Sequence, residues 1–189
     1  DTSTQLDKPI VFNTPPKPPY ISFVPGTPDL EHFPSRNWIR YIKEYLYEPD
    51  AKVVGYTDVK GYQLLRQVLV KYLKKHKGSD CSVEQVYITN GTSGALNFIA
   101  ATLRKRITSL LTESPVMDFV PEIFSLYDYR IKPMKVDEYG LVTKELQPNH
   151  KNSLIYTSPS HQMPLGGTMT INRRRELIQY AIDGGHFII

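Results

Sequence analysis

Val86-Tyr87-Ile88-Thr89-Asn90-Gly91-Thr92-Ser93-Gly94 joins a short run of β-favouring residues to a turn that holds two glycines, and Ala95, Leu96, Ile99, Ala100 and Leu103 follow at helical spacing. A strand over residues 86–89 that enters a helix through a glycine-containing turn is one unit of an alternating α/β chain. The start of such a helix leaves backbone N–H groups unpaired and carries a partial positive charge, while glycine lets an anion come close. Hydroxyls on Thr92 and Ser93 would add donors. On these residues alone the turn reads either as an ordinary helix cap or as a cup for a phosphate group.

The alternation continues on both sides. Downstream, apolar runs predict strands over residues 107–111, 131–136, 154–157 and 187–189, with helices over 122–129 and 173–182. Upstream, Leu64, Leu65, Val68, Leu69, Tyr72 and Leu73 form a helical stripe that stops near Lys77-Gly78, and Ser82 with Gln85 has the spacing of a capping box. Strands that alternate with helices predict an α/β fold, a three-layer sandwich around a mostly parallel sheet covered on both faces. Trp38, Ile39, Ile42, Tyr45 and Leu46 predict an amphipathic helix over 35–47. Residues 1–20, polar and then proline-rich, predict an extended linker arm. Residues 21–54 form an N-terminal segment with its helix, and 55–189 the first half of a larger domain. Phe187-Ile188-Ile189 reads as the beginning of a buried strand, so the chain is expected to be a fragment of something longer.

Composition narrows the class. With 189 residues, 40% hydrophobic and 22% charged, the chain holds enough apolar material for a core. It has no apolar run of the roughly 20 residues that a membrane span needs, and its start lacks the layout of a signal peptide. One cysteine, Cys81, builds neither an internal disulfide framework nor a multi-cysteine metal site, which fits a reducing compartment, and a cytoplasmic location is expected. The net charge of +4 is too small to argue for nucleic acid. Lys71, Lys74, Lys75, His76 and Lys77 read as a solvated helix end, and Arg173-Arg174-Arg175 likewise.

Two further stretches carry candidate chemistry. Tyr156-Thr157-Ser158-Pro159-Ser160-His161-Gln162-Met163-Pro164-Leu165-Gly166-Gly167 follows an apolar strand, and in a doubly wound sheet ligands sit beyond the carboxyl ends of strands. His161 and Gln162 there would hydrogen-bond a ligand oxygen, or else merely satisfy a proline-braced loop. Gly55-Tyr56-Thr57-Asp58-Val59-Lys60-Gly61-Tyr62 offers a phenol from Tyr56 to an anion, or else a packed aromatic at a helix entry.

In this order the three stretches resemble fold type I pyridoxal-phosphate enzymes, and most of all the aminotransferase-like domain of MocR-type regulators in the GntR superfamily. The family's Y-G-D-P-A-G-x-x-x-L-R is similar to Tyr56 through Arg66, its T-x-G-A-Q-x-A-L to Thr89 through Leu96, and its T-P-S-H-Q-x-P-x-G-x-x-M to Thr157 through Met169. The resemblance implies that Gly91, Thr92 and Ser93 hold the phosphate of pyridoxal phosphate, and that Tyr56 reaches the phosphate of a neighbouring subunit in a homodimer. It places His161 and Gln162 near the cofactor ring or its phenolic oxygen, and Pro25-Gly26 near the ligand's carboxylate. Where the family has E-D-P-G-Y, with an aromatic stacked on the ring, this chain has Glu113-Ser114-Pro115-Val116-Met117, so Met117 would cover the ring through its polarisable sulfur.

The family's acidic partner to the ring nitrogen, its Schiff-base lysine and its substrate-binding arginine all come after the position of Ile189. The chain as given is therefore expected to be inactive in transamination and to hold the cofactor weakly or not at all. For the same reason residues 86–89, which in fold type I pair with strands from the second half, are expected to need that half or another chain. The implied function is the effector-binding and dimerisation part of a transcription regulator. Such a regulator senses a small amino compound and contacts DNA through a separate domain. The alternatives are a fragment of a free-standing aminotransferase acting on an amino acid or related amine, and a relative that serves only as a dimerisation scaffold.

Overall fold

The computed structural model describes Asp29 and residues 31–47, 55–147 and 152–189. The expected linker arm and Pro25-Gly26 lie outside the described residues. The described residues fall into two units, divided between Gly55 and Tyr56. In the first, helix α1 (Ser35–Tyr47) is amphipathic and has no buried residue.

The second unit holds α2 (Gln63–Lys77), α3 (Gly91–Leu103), β1 (Ser109–Ser114), α4 (Phe119–Ser125), β2 (Arg130–Asp137), β3 (Gly140–Leu141), β4 (Leu154–Tyr156), α5 (Ile171–Gly184) and β5 (Phe187–Ile188). The strands form one sheet in the order β3-β2-β1-β4-β5. β1 pairs in parallel with β2 and β4, and β4 with β5, while β2 and β3 are antiparallel. Period-two alternation sends neighbouring residues of a strand to opposite faces. Leu110 and Leu154 accordingly join Leu96 and Ala100 of α3 and Val120, Ile123 and Phe124 of α4 in one core. Their chain neighbours Leu111 and Ile155 join Leu177 and Ala181 of α5 in the other. All four strand residues are fully buried. The predicted sandwich, a sheet covered on both faces, is what forms.

Boundaries moved for identifiable reasons. β1 begins two residues later than the apolar run suggests and continues through Thr112 and Glu113, because ladder partners on β2 and β4 hold them. α4 starts at Phe119 and stops at Ser125, since Asp128 takes a left-handed φ of 56° that no helix continues through. α5 starts at Ile171, where the Thr170 hydroxyl accepts from the Arg173 N–H. α2 ends as expected, with Gly78 left-handed at φ 64°. Gln85 accepts from the Ser82 N–H at 2.9 Å across a single 3-10 turn, the predicted capping box. Lys71, Lys74, Lys75, His76 and Lys77 all lie exposed at the end of α2.

Three expectations need correction. Residues 86–89 are extended at Val86 but belong to no sheet, because no described strand lies beside them; Ile88 donates to the Lys60 carbonyl at 2.9 Å. β5 is not buried, since Phe187 is 55% exposed at the free edge beyond β4. The arginine run is not simply solvated. Arg173 grips Asp137 with both terminal nitrogens, at 2.5 and 2.7 Å, and donates to the Gly140 carbonyl at 3.0 Å. Arg174 donates to the carbonyls of Pro159 and Met169.

The Asp137 clasp makes a pH prediction. Donation from Arg173 is the main reason that the Asp137 carboxyl lies at about 2 instead of 3.8. A depressed carboxyl contributes stability that is complete above its unfolded value and lost as pH falls through its folded one. Acid titration between about pH 4 and 2 should therefore loosen the β2–β3–α5 junction, and Asp137→Asn should flatten that limb of the stability curve. Identical acid limbs for the two proteins, measured by denaturant unfolding, would remove Asp137 as their cause.

Candidate functional site

The chain passes from β1 to β2 on one side and then crosses back to β4 on the other, so the strand order reverses between β1 and β4. Clefts outside the carboxyl ends of strands at such a reversal are where open α/β sheets bind ligands. Glu113, near the end of β1, and Thr157, just past β4, occupy that place.

Helix α3 turns its N-terminus to the same end. Its other end is pinned at the amino end of β2. There the Tyr129 hydroxyl donates to the Ala100 carbonyl at 3.0 Å, and Arg104 donates to the Tyr127 carbonyl and pairs with Asp128. Gly91, at the start of α3, has φ 81°, a conformation that disfavours other residues, and a Cβ there would meet nothing within 4 Å. Thr92 and Ser93 are exposed, and their hydroxyls make no hydrogen bond among the described residues. Asn90 provides no side-chain cap, and the first turn contains no acidic residue. Inside the helix, Asn97 ties the cup down by donating to the Ser93 carbonyl at 2.9 Å, and Tyr127 donates to Asn97 at 3.3 Å. An open helix start with free hydroxyls and no competing carboxylate fits the phosphate end of pyridoxal phosphate.

Met117 is half-buried and packs on the core that contains Leu96 of α3, which puts it on the same sheet face as the cup. His161 is exposed. Gln162 is 2% exposed, and its amide is fully engaged: it donates to Glu113 at 3.1 Å and to the Pro115 carbonyl at 2.9 Å, and accepts from the Leu165 N–H at 3.0 Å. Gln162 thus joins the loop that carries Met117 to the loop that carries His161. Tyr56 is fully exposed and touches none of these residues through a hydrogen bond.

Two residues that sequence reasoning did not single out organise the surroundings. Arg66 is 2% exposed inside α2, and it donates to Asp58 at 3.0 Å, to the Gly61 carbonyl at 3.1 Å and to the Val83 carbonyl at 3.2 Å. Lys60 pairs with Glu84 at 2.5 Å beside it, which raises the ammonium's pKa and lowers the carboxyl's. This cluster braces the segment that follows Tyr56. The second residue is Glu113, 1% exposed and bonded to three donors. A carboxylate directly after Leu110-Leu111-Thr112 in a core strand was the available signal.

The family model for Aminotransferase class I and II matches residues 19–187. The chain belongs to that family. The HTH-type transcriptional regulator YdeL of Bacillus subtilis is 31% identical over 90% of this chain and 36% of its own length. The Rhizobium meliloti protein named "Probable rhizopine catabolism regulatory protein MocR" is 30% identical over 86% of this chain and 33% of its own. Among solved structures, an archaeal alanine:glyoxylate aminotransferase superposes with a TM-score of 0.75 at 31% identity, over 85% of this chain and 42% of that one. The fold is thus that of the fold type I aminotransferases, and the chain spans about a third of the two regulators' length. No helix among the described residues is long and apolar enough to cross a membrane.

Proposed function

We propose that this chain is the first part of the effector-binding and dimerisation domain of a cytoplasmic, pyridoxal-phosphate-dependent regulator of the MocR type. The whole protein contacts DNA through a separate domain and senses a small amino compound. Gly91, Thr92 and Ser93 hold the phosphate through backbone N–H groups, two hydroxyls and the positive end of α3. Met117 covers one side of the ring, and the His161 loop borders the other groups of the ligand. Gln162 holds that loop in place, and Tyr56 serves the phosphate of the second subunit. When bound, the cofactor supplies an aldehyde that captures an amine; the residues of this chain position it and shield it from water.

The observation that carries this reading is the open, acid-free start of α3 on the sheet face where Met117 packs, at the strand ends where Glu113 anchors the His161 loop. The two regulator relatives support regulation over enzymology. An aminotransferase acting on an amino acid or related amine is the second reading, favoured by the superposition on an aminotransferase structure.

The test uses the intact protein. Expected are a visible absorbance band on adding pyridoxal phosphate, binding to DNA from its own upstream region that an amine alters, and no sustained turnover of an amino donor with a keto acid. Sustained turnover without DNA binding would establish the enzyme instead, and absence of the absorbance band would leave only the scaffold.

A further inference from the structure

Glu113 is a buried carboxylate whose donors are all neutral. Its Oε1 accepts from the Thr157 hydroxyl at 2.5 Å and from the Ser158 N–H at 3.0 Å, and its Oε2 accepts from the Gln162 amide at 3.1 Å. Among the described residues no lysine, arginine or histidine forms an ion pair with it. Burying a carboxyl group without a counter-ion is costly, and hydrophobic packing of the same volume would serve stability better. What the carboxyl group supplies is geometry. It lies one residue before the end of β1, and its donors come from the loop after β4, so it bridges the two strands at the point where the sheet order reverses.

Through Gln162 the bridge extends further. The same amide that donates to Glu113 also donates to the carbonyls of Pro115, two residues before Met117, and of Met163, and its oxygen accepts from the Leu165 N–H. Four partners of fixed polarity leave the amide one orientation.

We infer that Glu113 is the positioning residue of the site, a buried carboxyl group that locks the loop carrying Met117 to the loop carrying His161 through Gln162. The inference rests on the function proposed above. Glu113 does not touch the ligand; it sets where two ligand-facing loops stand, and neutral donors let it do so without drawing a cation into a site meant for an anion.

The experiment compares the intact protein with Glu113→Gln, Glu113→Asp and Thr157→Val. Two quantities are read: hydrogen exchange at the Ser158 and Leu165 amides, and affinity for pyridoxal phosphate by absorbance titration. Gln at 113 keeps the volume but turns one acceptor into a donor, which faces the donors of Gln162 or of Thr157 and Ser158. It should raise exchange at both amides and weaken the cofactor about tenfold, with exchange of the β1 amides unchanged. Asp at 113 keeps the charge on a shorter arm and should recover part of both. Thr157→Val, which leaves the Gln162 bond intact, should show a smaller effect in the same direction and guards against misfolding of the first variant.

Unchanged exchange at Ser158 and Leu165 overturns the inference. So does faster exchange with unaltered cofactor affinity, because Glu113 would then be structural only. If the unmutated protein itself fails to bind pyridoxal phosphate, the proposed function falls first and this inference with it, an outcome distinct from either of the others.

Discussion

Replacing Ser93 by aspartate is expected to weaken pyridoxal phosphate by about a hundredfold while leaving the fold as stable as before or slightly more so. The two effects have opposite signs for one electrostatic reason. The first turn of α3 has no acidic residue, so a carboxylate there complements the helix dipole and should add about 0.3–1 kcal/mol of stability. The same charge sits where a phosphate dianion would accept the free N–H groups, and it repels that dianion at short range. Titration of the intact protein with pyridoxal phosphate and with pyridoxal separates the cases, because pyridoxal lacks the phosphate and should lose little affinity. A variant that melts higher and still binds pyridoxal phosphate like the unmutated protein would show that the α3 cup is only a helix start.

Arg66→Met should destabilise the second unit by about 2–3 kcal/mol. The methionine fills most of the space but donates nothing. The carbonyls of Gly61 and Val83 lose their donor in a place the solvent hardly reaches, and Asp58, itself 46% exposed, loses its partner. Exposure of Asp58 keeps the loss below that of a fully buried ion pair. Arg66→Lys should recover only part, since a lysine cannot fan three donors toward separate acceptors in one plane. Denaturant unfolding measures both, and a loss below about 0.5 kcal/mol for Arg66→Met would mean that water replaces the guanidinium without cost. Loosening here should also release the segment after Tyr56, visible as faster exchange at the Gly61 and Ile88 amides, which bond to Asp58 and Lys60.

Strand composition and surface charge part from the fold for different physical reasons. Residues 86–89 have strand composition, but a strand exists only where a neighbour completes its ladder, and propensity carries no information about neighbours. Glu113 and Ser114 have weak strand composition, yet they complete β1, because Met134 and Lys135 of β2 pair with them. Arg173 and Arg174 read as surface charge because their acceptors, Asp137 and the carbonyls of Pro159 and Met169, are up to 36 residues away along the chain. The start of α3 was legible because it is local: Asn90, Gly91, Thr92 and Ser93 are consecutive, and the apolar stripe of the helix they begin follows directly.

By itself the sequence determined the layering. Continuous apolar runs at Leu110-Leu111 and Leu154-Ile155, set between helical stripes, require a sheet with apolar cover on both faces, whatever the order of its strands, because successive residues of a strand face opposite sides. Only the tertiary structure decided strand order, the place of reversal between β1 and β4, and the roles of Arg66 and Glu113. Those depend on contacts across 5 to 49 residues and between different elements, which hydrophobic periodicity within a single element cannot encode.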